Sequence, residues 1–217
     1  MHVLVVGANR GIGLALVEKF ISEGHQVTAT CRKSSDQLDQ SGAKVIVEVD
    51  VTEIASLAKA ASAVQPLDMM IHSAGILLED DLASSNHESM LKQFEINSIA
   101  PFKSVLAFRS KLKPGSKIGL MTSRMGSVSD NTSSGHYGYR ASKSALNSIG
   151  KSLAVELKDE DIGVFLLHPG YVRTEMTKMN GLIDAKESAA GLYKVMMDKT
   201  IEQTGSFWHT NGEELPW

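Results

Sequence analysis

Short apolar runs alternate with longer amphipathic segments along this chain. Val3–Val6 is continuous and β-branched, which is typical of a strand buried on both faces of a sheet. Residues 12–22 have helical spacing, because Ile12, Leu16 and Phe20 fall on one side of a helix. Further strands are predicted at 26–31, 44–49, 67–72, 117–121, 161–167 and 206–208, and further helices at 53–64, 87–112 and 137–158. This β-α-β rhythm predicts an α/β fold, with a mainly parallel sheet between two layers of helices, in a single domain over residues 1–217.

Composition and charge narrow the class of protein. The 217 residues include 22 basic and 25 acidic side chains, which gives a net charge of −3. This balance gives no electrostatic reason to expect a nucleic acid or an anionic membrane as a partner. No stretch approaches the ~20 apolar residues that span a bilayer, and the single cysteine, Cys31, excludes an internal disulfide. We therefore expect a cytoplasmic protein, and no cluster of residues predicts a metal site.

A glycine-rich turn joins the first predicted strand to the first helix. Gly7 allows a tight turn, Gly11 lets the backbone approach a pyrophosphate, and Gly13 permits close packing of helix on strand. The helix N-terminus offers unpaired N–H groups and a positive dipole end to phosphate. The spacing G-x3-G-x-G differs from the usual G-x-G-x2-G, and a glycine-rich turn without a ligand is the alternative. The position next to the strand favours a dinucleotide site. Its predicted residues are Gly7, Asn9, Arg10, Gly11, Ile12 and Gly13.

The end of the second predicted strand carries the residues that select between two nicotinamide dinucleotides. An acidic residue there would bind the 2′-hydroxyl of NAD(H) and repel the 2′-phosphate of NADP(H). The strand instead ends in Arg32 and Lys33, and Arg10 in the glycine turn is a further cation for the same phosphate. We therefore predict NADP(H) rather than NAD(H). The alternative for Arg32 and Lys33 is an ordinary solvated strand end.

Asp50 and Val51 follow the third predicted strand and are placed to meet an adenine ring. The carboxylate would accept a hydrogen bond from the exocyclic amine, and Val51 would pack on a face of the ring. The alternative is that Asp50 or Thr52 caps the helix that begins near Glu53. Both roles are compatible, since different groups would perform them.

Tyr139 and Lys143 are four residues apart at the start of a long predicted helix, so they share one face. A free phenol has a pKa of ~10 and is a poor base at neutral pH. A nearby ammonium group favours the phenolate, and we expect Lys143 to lower the pKa of Tyr139. Such a tyrosine exchanges a proton with a substrate oxygen. Tyr137 is the rival, but the residue four positions later is Ala141, which carries no charge.

Taken together, these pieces resemble the short-chain dehydrogenase/reductase family over essentially the whole chain. The matching pieces, in the family's order, are residues 7–13, Asp50-Val51, Ser73-Ala74-Gly75, Asn97, Thr122-Ser123, Tyr139 with Lys143, and residues 169–174. The resemblance implies a doubly wound Rossmann fold with strand order 3-2-1-4-5-6-7. The compact length and the ending Asn211–Trp217 are similar to a carbonyl-reductase-type subgroup that includes sniffer and C-factor proteins.

The resemblance also implies roles for individual residues. A catalytic tetrad would consist of Asn97, Ser123, Tyr139 and Lys143. Tyr139 would be the acid/base, Ser123 would hydrogen-bond the carbonyl oxygen, and Lys143 would hold the nicotinamide ribose. Asn97 would hold a water that links Lys143 to solvent, with a polar residue that bends its helix as the alternative. Further cofactor contacts would come from Ser73, Ala74, Gly75, Pro169, Gly170, Val172 and Thr174.

Two departures from the family pattern concern the site. Ser73 stands where the family usually has asparagine, which puts that contact to the central sheet in doubt. The segment between Ser123 and Tyr139 is longer than usual and rich in serine and glycine, so we expect it to alter the pocket mouth. The predicted pocket lining is apolar or amphipathic and consists of Leu77, Leu78, Met125, Tyr171, Met176 and Met179.

These expectations combine into one predicted activity. We expect an oxidoreductase that transfers hydride between NADP(H) and a small carbonyl or alcohol substrate, mainly as carbonyl reduction. A homodimer or homotetramer is expected from the family. The alternatives are a dinucleotide-binding regulator of the same fold without turnover and a signalling protein, as the C-factor resemblance suggests.

Overall fold

The structure is a computed structural model that describes residues 1–217. The strands are β1 (His2–Val6), β2 (Gln26–Thr30), β3 (Lys44–Ile46), β4 (Leu67–His72), β5 (Leu112–Met121), β6 (Gly163–His168) and β7 (Ser206–His209). The α-helices are α1 (Gly11–Ser22), α2 (Asp36–Asp39), α3 (Ile54–Ser62), α4 (His87–Phe94), α5 (Ala100–Phe108), α6 (Tyr137–Leu157) and α7 (Ala185–Asp198). A π-helical segment, Glu95–Ile99, joins α4 to α5.

The seven strands form one sheet in the order β3-β2-β1-β4-β5-β6-β7, and every neighbouring pair is parallel. This confirms the predicted doubly wound fold. The direction of the strand order reverses between β1 and β4. The connection after β1 leads to β2 on one side of this point, and the connection after β4 leads to β5 on the other. Ligands of such sheets bind at this switch point, beyond the carboxyl ends of the strands.

The core consists of two layers because the side chains of each strand alternate between the faces of the sheet. Val3 and Val5 of β1 belong to a cluster with buried residues of α1 and α7. Leu4 and Val6 belong to a second cluster with buried residues of α3, α5 and α6. This arrangement explains why β1 is apolar at every position from Val3 to Val6.

Several boundaries differ from those predicted. Helix α7 was not predicted, and the segment expected to be one helix over 87–112 changes its winding at Glu95–Ile99. Strand β5 begins at Leu112, five residues before the predicted start, because Leu112 pairs with Leu67 beyond an irregularity in the register. Helix α3 begins at Ile54 with Glu53 as its N-cap, so capping by Asp50 or Thr52 is wrong.

After β7 the chain folds back along the same strand. An isolated antiparallel bridge joins Trp208 to Glu214, and Leu215 N donates to Phe207 O at 2.7 Å. The ring of Trp217 then stacks on Phe207, with centroids 5.7 Å apart. Residues 210–217, called the return segment below, therefore pack against the β7 edge of the sheet.

Candidate active site

Three adjoining cavities lie along the carboxyl ends of the strands. The glycine-loop cavity, about 200 Å³, is bounded by the turn between β1 and α1 and by Tyr139. The Arg32 cavity, about 340 Å³, shares Gly7 and residues 74–76 with it. The Ser123 cavity, about 470 Å³, shares Tyr139 with the glycine-loop cavity on the other side. The three form one cleft, in which Tyr139 stands between the glycine-loop cavity and the Ser123 cavity.

Most of the residues singled out in the sequence line this cleft. The glycine-loop cavity is lined by Gly7, Arg10, Gly11, Ile12, Gly13, Ser73, Ala74, Gly75, Tyr139, Lys143, Pro169 and Thr174. The Arg32 cavity adds Arg32, Asp50 and Val51. The Ser123 cavity adds Ser123, Gly170 and Val172. Asn9 and Asn97 line none of the three cavities.

The glycine turn fits closely against the chain that follows β4. Gly7 has a φ of +83°, and a Cβ there would lie 2.6 Å from the backbone nitrogen of Ala74. A Cβ on Gly13 would lie 2.2 Å from the carbonyl oxygen of Gly7, so only glycine lets α1 start this close to β1. No side chain caps the start of α1, and its first turn carries no acidic residue. Its first N–H groups are therefore available to an anion in the cavity.

The predicted cationic residues differ in their surroundings. Arg10 pairs with Glu175, and both side chains are largely exposed. Arg32 is exposed beside the Arg32 cavity and makes no ion pair.

Asp50 Oδ1 accepts hydrogen bonds from Thr52 N at 2.9 Å and Thr52 Oγ1 at 2.8 Å. These bonds hold the pKa of Asp50 below its usual value, so the residue presents a carboxylate to the cavity.

Asn9 and Ser73 act through their backbone. The carbonyl oxygen of Asn9 accepts a hydrogen bond from Ser35 Oγ at 2.8 Å, which ties the glycine turn to the start of α2. Ser73 N donates to Val6 O at 2.8 Å, so the contact to the central sheet that the missing asparagine left in doubt is made by the main chain.

Tyr139, Ser123 and Lys143 come together at the carboxyl end of β5. Ser123 precedes the short 3₁₀ turn Arg124–Gly126, and its Oγ accepts from Met125 N at 3.2 Å. Tyr139 lies in the first turn of α6, and Lys143 follows one turn later on the same face. Lys143 Nζ lies 5.8 Å from the centroid of the Tyr139 ring and donates to Met121 O at 2.9 Å. The three side chains are all buried.

The pKa values correct one expectation. Burial raises the pKa of Tyr139 to about 12, and the neighbouring Ser123 hydroxyl only partly opposes this rise. Lys143 does not lower the pKa of the phenol here, because burial lowers its own pKa to about 7. The prediction of a lowered tyrosine pKa is therefore wrong for the protein without cofactor. Both side chains favour their neutral forms in this site.

Asn97 lies at the centre of the π-helical segment, behind the cavities. Its Oδ1 accepts from Ile76 N at 2.8 Å, and its Nδ2 donates to Ile76 O at 2.9 Å and to Ser142 Oγ at 3.0 Å. The same Oδ1 and Lys143 Nζ lie 3.2 Å and 3.6 Å from the position of a Cβ on Gly75. Asn97 thus fixes the chain after β4 to α6. The winding at this point is π-helical, a rare geometry that concentrates at functional sites, and the alternative of a polar residue that bends its helix stays a prediction.

The chain after β6 forms part of the wall of the cleft. Pro169 O accepts a hydrogen bond from Ser188 Oγ at 2.7 Å, which anchors it to α7. Val172 is buried and bridges to Ile183. Thr174 lines both the glycine-loop cavity and the Ser123 cavity, so it stands beside Tyr139 at their junction.

The Ser123 cavity is more polar than predicted. Leu77, Met125, Tyr171 and Met176 line it as expected, whereas Leu78 and Met179 do not. The residues that sequence reasoning missed are Arg124, Asp130, Thr132, Ser133, Arg140 and His168. Most of them come from the loop between Ser123 and Tyr139, whose path no periodicity in the sequence reveals.

His168 is the last residue of β6 and lines this cavity as well. Burial lowers the pKa of its imidazole to about 3, with further contributions from His209 and Arg124. The ring therefore stays neutral over the physiological pH range. A neutral imidazole offers hydrogen bonding without charge.

Known proteins resemble this chain in sequence and in fold. The family profile described as short chain dehydrogenase matches residues 1–182. The chain belongs to that family. Rhodococcus sp. 1-hydroxy-2-glutathionyl-2-methyl-3-butene dehydrogenase is 37% identical over an alignment of 223 positions, gaps included, which covers 99% of each chain.

Two solved structures extend the likeness over the whole chain. The carbonyl reductase Sniffer of D. melanogaster superposes with a TM-score of 0.93 at 26% identity, covering 100% of this chain and 99% of its own. The NADPH-bound carbonyl reductase from chicken fatty liver has a TM-score of 0.90 at 27% identity, with coverage of 100% and 98%. The resemblance to the carbonyl-reductase-type subgroup is thereby confirmed.

No group of three or more His, Cys, Asp or Glu side chains is arranged to bind a metal ion. None of the helices combines the length and the apolar character that crossing a membrane requires.

Proposed function

We propose that this oxidoreductase transfers hydride between NADP(H) and a small carbonyl or alcohol substrate, mainly in the direction of carbonyl reduction. The observation that carries the proposal is the position of Tyr139, which lines both the glycine-loop cavity and the Ser123 cavity. A phenol at this junction reaches a substrate held in one cavity beside a cofactor held in the other. The carbonyl reductases described above support the same activity.

The residues of the cleft fit NADP(H). The close approach of Gly7 to Ala74 and the uncapped start of α1 form a backbone cradle for the pyrophosphate. Arg32 and Val51 would bind the adenosine end in the Arg32 cavity. Arg32 carries no ion pair that a 2′-phosphate would have to break, whereas Arg10 would exchange Glu175 for the phosphate. That exchange costs little, because exposed ion pairs contribute little to stability.

The bound nicotinamide supplies or accepts the hydride. In carbonyl reduction, Tyr139 Oη donates its proton to the substrate oxygen while the carbonyl carbon gains the hydride, so the product is the alcohol. Ser123 Oγ donates a hydrogen bond to the same oxygen and stabilises its developing negative charge. Lys143 would bind the nicotinamide ribose from its position one turn after Tyr139. Asn97 Oδ1, which accepts one hydrogen bond from Ile76 N, would accept a second from a water, and that water would pass a proton from solvent to Lys143.

The raised pKa of Tyr139 fits reduction. A phenol with a pKa of about 12 is protonated at neutral pH and thus holds the proton that it must donate. The reverse reaction requires the phenolate. A positive charge brought by oxidised nicotinamide, or a charged Lys143, would favour that phenolate.

One experiment distinguishes an enzyme from a regulator of the same fold that has no turnover. The purified protein is mixed with NADPH and a panel of aldehydes and ketones, and the loss of NADPH absorbance is followed, with NADH in parallel. We expect turnover with NADPH and slower turnover with NADH. NADPH binding without consumption by any carbonyl would refute the proposal and favour a regulator or a signalling protein of the same fold.

We also propose that the chain forms a homodimer or homotetramer. Helices α4 and α5 leave Leu91, Phe102 and Leu106 exposed to solvent, and exposed apolar patches often mark contacts between subunits. Light scattering coupled to gel filtration measures the mass directly. A monomer at micromolar concentration would contradict this proposal.

A further inference from the structure

The loop between the catalytic Ser123 and Tyr139 forms a wall of the Ser123 cavity. Residues 127–135, called the cavity loop below, contribute Asp130, Thr132 and Ser133 to that wall. The loop contains no helix or strand. Its internal hydrogen bonds are long, with Asn131 N to Val128 O at 3.4 Å as an example. Its position therefore depends on contacts with the rest of the protein.

Two of these contacts come from the catalytic elements themselves. Arg124, next to Ser123, pairs with Asp130. Arg140, next to Tyr139, donates from Nη2 to Ser133 Oγ at 2.7 Å. Both tie the inner side of the cavity loop to the site.

The outer side of the cavity loop is held by the return segment. Ser129 N donates to the carbonyl oxygen of Trp217 at 3.0 Å, and Ser129 Oγ donates to the same oxygen. The Trp217 ring stacks on Phe207, which is completely buried in β7. Trp217 is 44% exposed, so this ring is not needed to fill the core. Trp217 thus contacts the sheet through its ring, which stacks on Phe207, and the cavity loop through its backbone oxygen, which accepts from Ser129. These two contacts connect the loop to the sheet.

We propose that Trp217 and Ser129 form a latch that holds the cavity loop against the Ser123 cavity and thereby sets the affinity for substrate. Both residues are positioning residues, since neither lines the cavity. Releasing the latch leaves Ser123, Tyr139 and the glycine turn in place. It leaves the cavity loop without its outer contact, so that only the inner contacts, from Arg124 to Asp130 and from Arg140 to Ser133, restrain the movement of Asp130, Thr132 and Ser133 relative to the substrate.

Trp217→Ala removes the stacked ring, and hydrogen exchange with mass spectrometry reports the loop directly. We expect peptides covering 124–136 to exchange about tenfold faster, in line with the loss of one aromatic contact and weakened hydrogen bonds. Peptides from β1 and β4 should keep their exchange rates. Trp217→Phe retains a stacking ring and should restore slow exchange.

The substrate-affinity half of this inference rests on the proposed function. With NADPH saturating and para-nitrobenzaldehyde varied, Trp217→Ala should raise KM about tenfold by the same loss of contacts, without a change in kcat or in the dissociation constant of NADPH. Ser129→Ala, which removes only the side-chain donor, should give a smaller rise. Val155→Ala alters an exposed apolar residue on α6 away from the loop, and it serves as the control with no change.

The exchange rates and the KM values distinguish a failure of the latch from a failure of the proposed function. Unchanged exchange of the 124–136 peptides in Trp217→Ala would overturn the latch, and faster exchange with an unchanged KM would overturn its role in substrate affinity. A wild-type protein without turnover of any carbonyl would refute the proposed function and with it the KM effect. The exchange rates would still decide whether Trp217 holds the loop.

Discussion

Gly13→Ala tests the close fit between α1 and β1 on which the cofactor cradle depends. The added Cβ would lie 2.2 Å from Gly7 O and 3.1 Å from the Cα of Ala8, and both neighbours are backbone atoms that no rotamer change removes. Relief therefore requires a shift of the helix start. Overpacking typically costs 1–3 kcal/mol, and we take the upper end, about 3 kcal/mol, because the obstacle is backbone. At about 2–4 °C per kcal/mol for a domain of this size, Tm should fall by about 6–12 °C.

Gly24→Ala is the matched control. Gly24 has a φ of +80° with no atom within 4 Å of the added Cβ, so only backbone strain of about 1 kcal/mol is introduced. Thermal unfolding by circular dichroism, with and without NADPH, compares the two variants. NADPH should raise the Tm of Gly24→Ala as in wild type and raise that of Gly13→Ala much less. A Gly13→Ala protein with the stability and NADPH affinity of the control would refute the reasoning.

Three further predictions concern single side chains. Arg32→Asp should weaken NADPH binding and reduce the preference over NADH in fluorescence titrations, and equal binding of both dinucleotides by wild type would contradict it. Ser123→Ala should lower kcat about 10²–10³-fold, the typical cost of one oxyanion donor, while NADPH affinity stays; unchanged turnover in steady-state assays would show that the residue is misassigned. Lys143, whose pKa burial lowers to about 7, should make the cofactor-free protein more stable relative to Lys143→Met as pH rises from 7 towards 10, because only the unfolded state binds the proton in that window. Urea unfolding at several pH values measures this, and a constant difference between the two proteins would count against the buried neutral lysine.

Much of the fold was predictable because its strands are buried on both faces. The continuous apolar run Val3–Val6 of β1 and the apolar stretch Met69–Ile71 of β4 leave few alternatives to central strands of a parallel sheet. The order of the strands, by contrast, came from the resemblance to a family. Helix α7 was missed, although Asp184 caps it and accepts from Glu187 N at 2.9 Å. That cap, followed by apolar residues at helical spacing, was a signal in the sequence.

The site was predictable where backbone geometry fixes residue type. Gly7 and Gly13 must be glycine because of the atoms beside them, and Tyr139 and Lys143 meet through helical spacing alone. The polar lining of the Ser123 cavity was not predictable, since the cavity loop is positioned by distant contacts such as that from Trp217. The predicted lowering of the pKa of Tyr139 was wrong for a related reason. Burial, which raises this pKa, arises from tertiary packing, and here it outweighs the hydrogen bond with Ser123, which lowers it.

The pH dependence of alcohol oxidation with saturating NADP⁺ is the most direct test of Tyr139 as the acid/base. Wild type and Tyr137→Phe, the control whose ring is partly exposed, should show a rate that rises with pH through one ionisation. Its midpoint should lie well below the value of about 12 that burial gives the pKa of Tyr139 in the cofactor-free protein, because a cationic nicotinamide favours the phenolate. Tyr139→Phe should still bind NADPH but lose both turnover and this ionisation. A Tyr139→Phe protein that turns over with the wild-type profile would show that another group carries the proton.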